Sequence, residues 1–382
     1  MANDMPIRVL HVVYQMNRGG METCIMQFLR RMDPARFSLD FVVHTDEPGE
    51  YDDEIRARGG SIHVNPPPRA WRAHRQGFRR TLQDGGPYDV VHAHDMVWGP
   101  LLAVAHAEEV PVRIIHSHND VRWHQPASLL ERVYCRCARR ASLRHATHGL
   151  AVSEVAAEAY FGRKWKRDNR WRVLVSGRDF SPFHEAVDRE AMRAELGLPA
   201  DARVIGHVGS LTEQKNHRFW LQIAGKLARM SDRYHFLLVG DGPLRAGIVA
   251  RAEELGLSDR LVLAGVRDDV PRVLGAMDLF LFPSFYEGLP GAVVEAQAAG
   301  LPCLISDAIT SETQMIPELV TRLELDDGPG AWAQQVEEQL QEHPGLPRED
   351  ACEHAKESQF DMVTHMRRLS AVYNGRQGKR SN

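Results

Sequence analysis

Two glutamates eight residues apart, Glu287 and Glu295, sit in the stretch FYEGLPGAVVEAQAAG at 285–300. Pro290 suits the first turn of a helix, where its missing N–H would have no partner. Gly300 suits the stop, with Pro302 just beyond. The spacing therefore predicts a short helix over 290–299, with Gly288 and Leu289 at its positive end. Backbone N–H groups at such an end favour an anion. Carboxylates beside it then make sense as acceptors for hydroxyls. A sugar nucleotide has hydroxyls on both sides of a diphosphate, so Glu287 would hold a hexose and Glu295 a ribose. The competing reading is ordinary surface charge.

Other stretches carry compatible chemistry. Gly19-Gly20 follows an apolar run and opens a helical one, which allows a phosphate to approach the backbone. It is not the G-x-G-x-x-G dinucleotide fingerprint, so a dehydrogenase finds little support. GSLTEQKNH at 209–217 has a small residue, Ser210, after its strand, and Lys215 as a flexible point charge suited to a departing diphosphate. GDGP at 240–243 offers Gly242 at another turn. Exposed main chain near Val266, in AGVRDDVP at 264–271, would suit the edge of a nucleobase. Each of these is also readable as a plain turn or a surface lysine.

His92 and His94, like His116 and His118, share a face because strand side chains alternate. Four histidines at one edge would be able to ligate zinc, although such residues more often line a polar cleft. Cys135 and Cys137, with His145 and His148 nearby, lack the two clear ligand pairs of a structural zinc site. No metal is expected.

These residues need a frame. IRVLHVVY (7–14), FSLDFVVH (37–44), DVVHAH (89–94), VRIIHSH (112–118) and HGLAVS (148–153) read as strands with helical runs between. The pattern restarts with RVIGHVGS (203–210), YHFLLVGDGP (234–243), RLVLAG (260–265), DLFLFPS (278–284) and PCLISD (302–307). Alternation of this kind predicts parallel sheets with helices on both faces. The expected organisation is α/β with two Rossmann-like doubly wound domains facing each other across a cleft. The first covers 1–178 and the second 179–358, and a helix within 359–382 packs back on the first. Ligands of open parallel sheets lie beyond the carboxyl ends of the strands, where all the polar motifs fall.

The 382-residue chain is long enough for two cores. No apolar run approaches the ~20 residues of a membrane span, and the N-terminus has an acidic residue where a signal peptide would be basic. A cytoplasmic protein is expected. Five cysteines without framework spacing do not suggest a disulfide scaffold. The net charge of −4 hides an asymmetry: residues 1–180 hold 26 Lys+Arg against 21 Asp+Glu. RAWRAHRQGFRR (69–80) and RVYCRCARRASLRH (132–145) mix arginine with apolar residues. Such faces would rest on anionic lipid at the inner face of the plasma membrane, or on a phosphorylated acceptor, unless they are simply solvated.

The E-x7-E element at 287–295, GGxE at 19–22, HSHN at 116–119, AVSE at 151–154, EQKNH at 213–217 and EAQAAGLP at 295–302 occur in order. Together they resemble the GT-B glycosyltransferases of family GT4, of the exopolysaccharide-biosynthesis type. The resemblance implies retaining transfer of a hexose from a nucleoside-diphosphate sugar, UDP first and GDP second, without a metal or other cofactor. It implies a glycan or polyprenyl-linked acceptor and no nucleic-acid partner. Glu287 would contact donor-sugar hydroxyls, Glu295 the ribose, Lys215 the diphosphate and Gly20 the phosphates. His118, rather than His116, would steady the donor sugar. Two departures stand out. Ser210 occupies a place where the family often has arginine, and Ser176-Gly177-Arg178-Asp179 replaces Asn-Gly-Ile-Asp. Arg178 or Lys215 is expected to supply the lost charge. The alternatives are a non-catalytic GT-B protein that binds a nucleotide or glycan, and an epimerase, for which no acid/base motif is visible.

Overall fold

The computed structural model describes residues 5–123, 128–343 and 345–375. The chain divides into two units, Met1–Gly177 with Met362–Asn382, and Arg178–Asp361. The first division falls one residue before the expected 178/179 boundary, and the return to the first unit three residues after the expected 358/359 boundary.

Unit 1 contains β1 (Ile7–Val12), β2 (Phe37–Val43), β3 (Ile62–Val64), β4 (Val90–His94), β5 (Val112–Ser117), β6 (His148–Ala151) and β7 (Trp171–Val173). They form one sheet in the order β3-β2-β1-β4-β5-β6-β7, and every pairing is parallel. Runs such as IRVLHV and VRIIHS pack both faces, as a sheet covered on both sides requires. Alternation divides them: Val9 and Ile114 join Phe28 and Phe41 in one core, while Leu10, Val12 and Ile115 join Phe78 and Leu101 in the other. The helix Met362–Tyr373 adds Leu369, Val372 and Tyr373 to the first core, which ties the chain's return to unit 1. Register places His11 beside His92 and His94 beside His116.

Unit 2 contains β8 (Arg203–Val208), β9 (Tyr234–Val239), β10 (Leu261–Gly265), β11 (Leu279–Phe282), β12 (Cys303–Ser306) and β13 (Val320–Leu323). Its order is β10-β9-β8-β11-β12-β13, again with parallel pairing. Trp220, Phe236, Leu281 and Trp332 belong to its core. In both sheets the strand order reverses beside the first strand, between β1 and β4 and between β8 and β11. Such switch points open a crevice at the carboxyl ends of the strands. The short β3, β7 and β13 were not foreseen from the sequence.

Candidate functional site

In unit 2, the loops that leave β8 and β11 meet. A short turn, Glu213–Lys215, follows β8, and Asn216 then takes a left-handed conformation (φ 55°) before the helix His217–Met230. The turn aims Lys215 at Glu287, with Nζ 2.6 Å from Oε1. Gln214 Nε2 donates to Glu287 Oε2 at 3.2 Å and to the Tyr286 carbonyl at 2.9 Å. The Phe285 N–H donates back to the Gln214 carbonyl at 3.0 Å. Glu287 is only 6% exposed, and the Phe282 ring lies 5.0 Å from Lys215 Nζ. Glu287 and Lys215, assigned from the sequence to different parts of a donor, are therefore partners of each other. Their pairing satisfies a buried charge that would otherwise be costly.

The second glutamate is also paired. The helix containing it runs Gly291–Ala298, with Pro290 as its N-cap and Gly300 left-handed just past its end (φ 79°). Glu295 Oε1 lies 3.1 Å from Nε of Arg178, itself buried. Burial pushes the Glu295 carboxyl up, and Arg178 partly offsets this. The arginine crosses the start of the helix so closely that a Cβ on Gly291 would lie 1.8 Å from its Nη2. Its own backbone N–H donates to the Phe360 carbonyl at 2.7 Å, which anchors it from the other end of unit 2. Arg178 thus brings a cation to the helix N-terminus named by the glutamate spacing.

The remaining unit 2 residues lie around this edge. Ser210 is exposed, its Oγ 3.4 Å from Thr212 Oγ1. Its carbonyl accepts from His217 Nε2 at 3.2 Å. Gly242 packs on the neighbouring turn, where an added Cβ would meet the Leu211 carbonyl at 2.6 Å. Close packing alone therefore requires glycine there. Val266 is exposed just past β10. Gly288 is buried and Leu289 half-buried between Glu287 and the helix.

In unit 1, Gly19 is the N-cap of the helix Gly20–Arg31. The Glu22 carboxylate folds over this turn, with Oε2 2.2 Å from where a Gly19 Cβ would stand. Burial raises the Glu22 carboxyl to about 7, opposed by a hydrogen bond from its own backbone. At the ends of β1, β4 and β5, five histidines converge. His118 Nε2 lies 2.9 Å from His94 Nδ1, and His94 Nε2 lies 2.8 Å from His11 Nδ1. His92 Nε2 lies 3.2 Å from His116 Nδ1. Burial pushes His11 and His118 down to about 3 and holds His92, His94 and His116 well below the usual imidazole range. All five are thus neutral near pH 7. The trios His11–His92–His94 and His94–His116–His118 are compact enough to hold a metal ion. The Cys135–Cys137 cluster does not form such a group among the described residues.

The profile for glycosyl transferases group 1 matches residues 188–358, and that for a glycosyl transferase 4-like domain matches residues 19–177. The Bacillus subtilis (strain 168) protein EpsF, assigned as a glycosyltransferase, is 36% identical over 342 residues, 87% of this chain and 88% of its own. The protein belongs to the group 1 glycosyltransferases, of the GT4 type. The Escherichia coli UDP-Gal:alpha-D-GlcNAc-diphosphoundecaprenol alpha-1,3-galactosyltransferase is 26% identical over 224 residues, 58% of each chain. In fold, the glycosyltransferase matches the crystal structure of Anabaena Alr3699/HepE in complex with UDP and glucose, with a TM-score of 0.78. That likeness, at 18% identity over 96% of this chain and 99% of the other, identifies the GT-B fold.

Sequence reasoning did not place Gln214, Glu22 or Tyr373 near these groups. Only GGxE hinted at Glu22, and only the substitution at 178 hinted at Arg178.

Proposed function

We propose that this glycosyltransferase moves a hexose from a UDP-sugar to a glycan or polyprenyl-linked acceptor in surface-polysaccharide assembly, with retention and without a metal. The observation that carries the proposal is the Lys215–Glu287 pair at the switch point of unit 2, with Arg178 and Glu295 held at the following helix. Two carboxylates bracketing a cation-lined helix N-terminus match hydroxyls on either side of a diphosphate. UDP is favoured because one relative is a UDP-galactose-dependent transferase and a protein of the same fold was crystallised with UDP and glucose. A diphosphoundecaprenol-linked acceptor in one relative favours a lipid-linked acceptor.

In this reading, Glu287 accepts hydrogen bonds from donor-sugar hydroxyls and Glu295 from the ribose. Gly288 and Leu289 offer backbone N–H groups to the phosphates, as does Gly20, whereas the Gly19 N–H already donates to the Asn17 carbonyl at 2.9 Å and Gly19 serves only as the open turn. Ser210 and Gly242 line the phosphate path and Val266 the base. The acceptor oxygen bonds to the anomeric carbon on the face that the diphosphate leaves. The C–O bond to the β-phosphate breaks, and that phosphate takes the acceptor's proton. Lys215 stabilises the charge that develops on the leaving oxygens, where a fixed cation in a dry site is most effective. His118 steadies the sugar. No described helix is long and apolar enough to cross a membrane. A lipid-linked acceptor would be met at the inner membrane face, through the arginine-rich stretches 69–80 and 132–145 of unit 1.

Thermal shifts with UDP, GDP and ADP test the donor assignment. A ligand at 100 times its Kd adds about 2.7 kcal/mol, a rise of several degrees. UDP should raise the Tm most. No rise with any nucleotide would leave both glutamates without their ligand and defeat the proposal.

A further inference from the structure

The histidines at the carboxyl edge of unit 1 form one continuous chain with a tyrosine of the terminal helix. Tyr373 Oη lies 2.9 Å from His92 Nδ1 and 3.5 Å from His11 Nε2. The order is His118, His94, His11, Tyr373, His92, His116, six groups joined by five contacts. His365 faces the chain from the same helix but is engaged elsewhere. Its Nδ1 donates to the Val175 carbonyl at 2.8 Å, and its Nε2 lies 3.9 Å from Cys24 Sγ.

The hydrogens can be counted. A neutral imidazole has one N–H and one bare nitrogen, and a phenol has one O–H. The six neutral groups supply six hydrogens, each contact takes one, and one is left over. If it rested on His116 Nε2, a buried atom without a partner, an N–H would be orphaned. If Tyr373 accepted from both neighbours, its O–H would be orphaned in the core instead. Orphaned buried N–H groups are rarer than under-satisfied acceptors. One arrangement leaves every buried N–H and O–H with an acceptor. His116 donates to His92, His92 to Tyr373, Tyr373 to His11, His11 to His94 and His94 to His118. The sixth hydrogen then sits on the half-buried His118, at Nδ1, the ring nitrogen turned away from His94.

We infer that His94, His11 and Tyr373 are positioning residues that fix His118 as a neutral Nδ1–H donor, able to hydrogen-bond a sugar oxygen but not to act as a base there. The use of that donor on a sugar rests on the proposed function; the tautomer does not. His94→Leu removes the group that donates to His118 Nε2, whereas His94→Asn places an amide N–H near the same point.

Long-range 1H–15N spectra of the full-length protein with 15N-histidine, without donor, read the tautomer directly. The His118 signals are those lost in His118→Asn. The expected spectrum has hydrogen on Nδ1 and none on Nε2, unchanged between pH 8 and 5.5, with His94→Leu giving a mixture and His94→Asn restoring Nδ1–H. In transfer assays, His94→Leu should lower kcat about tenfold or more, with donor KM little changed, and His94→Asn should recover most of it. Hydrogen on Nε2, a charged His118 at pH 6, or a stoichiometric metal bound to these nitrogens would overturn the inference. A correct tautomer in a protein without transferase activity would keep the chain and sink the functional reading alone.

Discussion

Lys215→Met should damage the protein more than Glu287→Gln, although the two residues share one contact. Nζ and Oε1 are 2.6 Å apart, and neither side chain is more than 14% exposed. At an effective dielectric of about 20, charges that close attract by about 6 kcal/mol before desolvation is counted. Most of that only offsets the cost of burial. Without Lys215, the carboxylate keeps Gln214 Nε2 at 3.2 Å but loses its counter-charge. The net loss should be about 2–3 kcal/mol, or roughly 5–10 °C in the transition of unit 2. Glu287→Gln leaves a lysine near the Phe282 ring, with a flexible stem that can reach water, so its cost should be under about 1 kcal/mol. The double variant should be more stable than Lys215→Met alone, because it removes the stranded charge. Differential scanning calorimetry of the four proteins closes the cycle, and UDP titration adds the functional arm. Lys215→Met should weaken UDP binding, whereas Glu287→Gln should leave it nearly intact and depress kcat, since its contact is to the reacting sugar. A Lys215→Met protein that melts within 1 °C of the wild type would refute the reasoning.

Three further outcomes are expected. Gly291→Ala should push Arg178 off Glu295, because the new Cβ would lie 1.8 Å from Nη2. It should cost about 1–3 kcal/mol and weaken UDP binding; unchanged Tm and affinity would refute this. Unit 1 should be acid-labile. Burial lowers His11 to about 3 and His44 to about 4, from an ordinary 6.5. Their stabilisation is present above 6.5 and is lost as pH falls toward the folded values, by at most about 2 kcal/mol each at pH 5. A Tm that stays level from pH 7 to 4.5 would contradict it. Finally, Leu129, Leu130, Val133 and Trp71 are exposed near several arginines, and the Trp71 and Tyr134 rings meet edge to face at 6.5 Å. The protein should float with phosphatidylglycerol vesicles, and Leu129→Glu with Leu130→Glu should abolish this. Equal flotation of the double variant would remove that surface from the account.

Much of the frame was legible because the central strands are β-branched runs too regular to read otherwise. IHV, WRV and VTRL at the sheet edges are too short to show a period. The glutamate helix could be read from Pro290 and Gly300, since each end has its own chemistry. Its counter-charges could not. Lys215 lies 72 positions from Glu287, and only the strand order that sets β8 beside β11 brings them together. Arg178 reaches Glu295 only because the chain enters unit 2 beside its last residues. Alternation along β4 and β5 correctly put His92 with His94. That His11 and Tyr373 join them depends on β1 lying beside β4 and on the terminal helix docking below. No local pattern carries that information.

The most direct test is transfer itself. Purified protein in EDTA should be incubated with UDP-glucose or UDP-galactose and a polyprenyl-diphosphate-linked acceptor. The account predicts UDP release matched one for one by glycosylated product, with the donor's anomeric configuration retained and turnover strongly reduced in Glu287→Ala. UDP release without glycosylated product, an inverted linkage, or full activity in Glu287→Ala would contradict it.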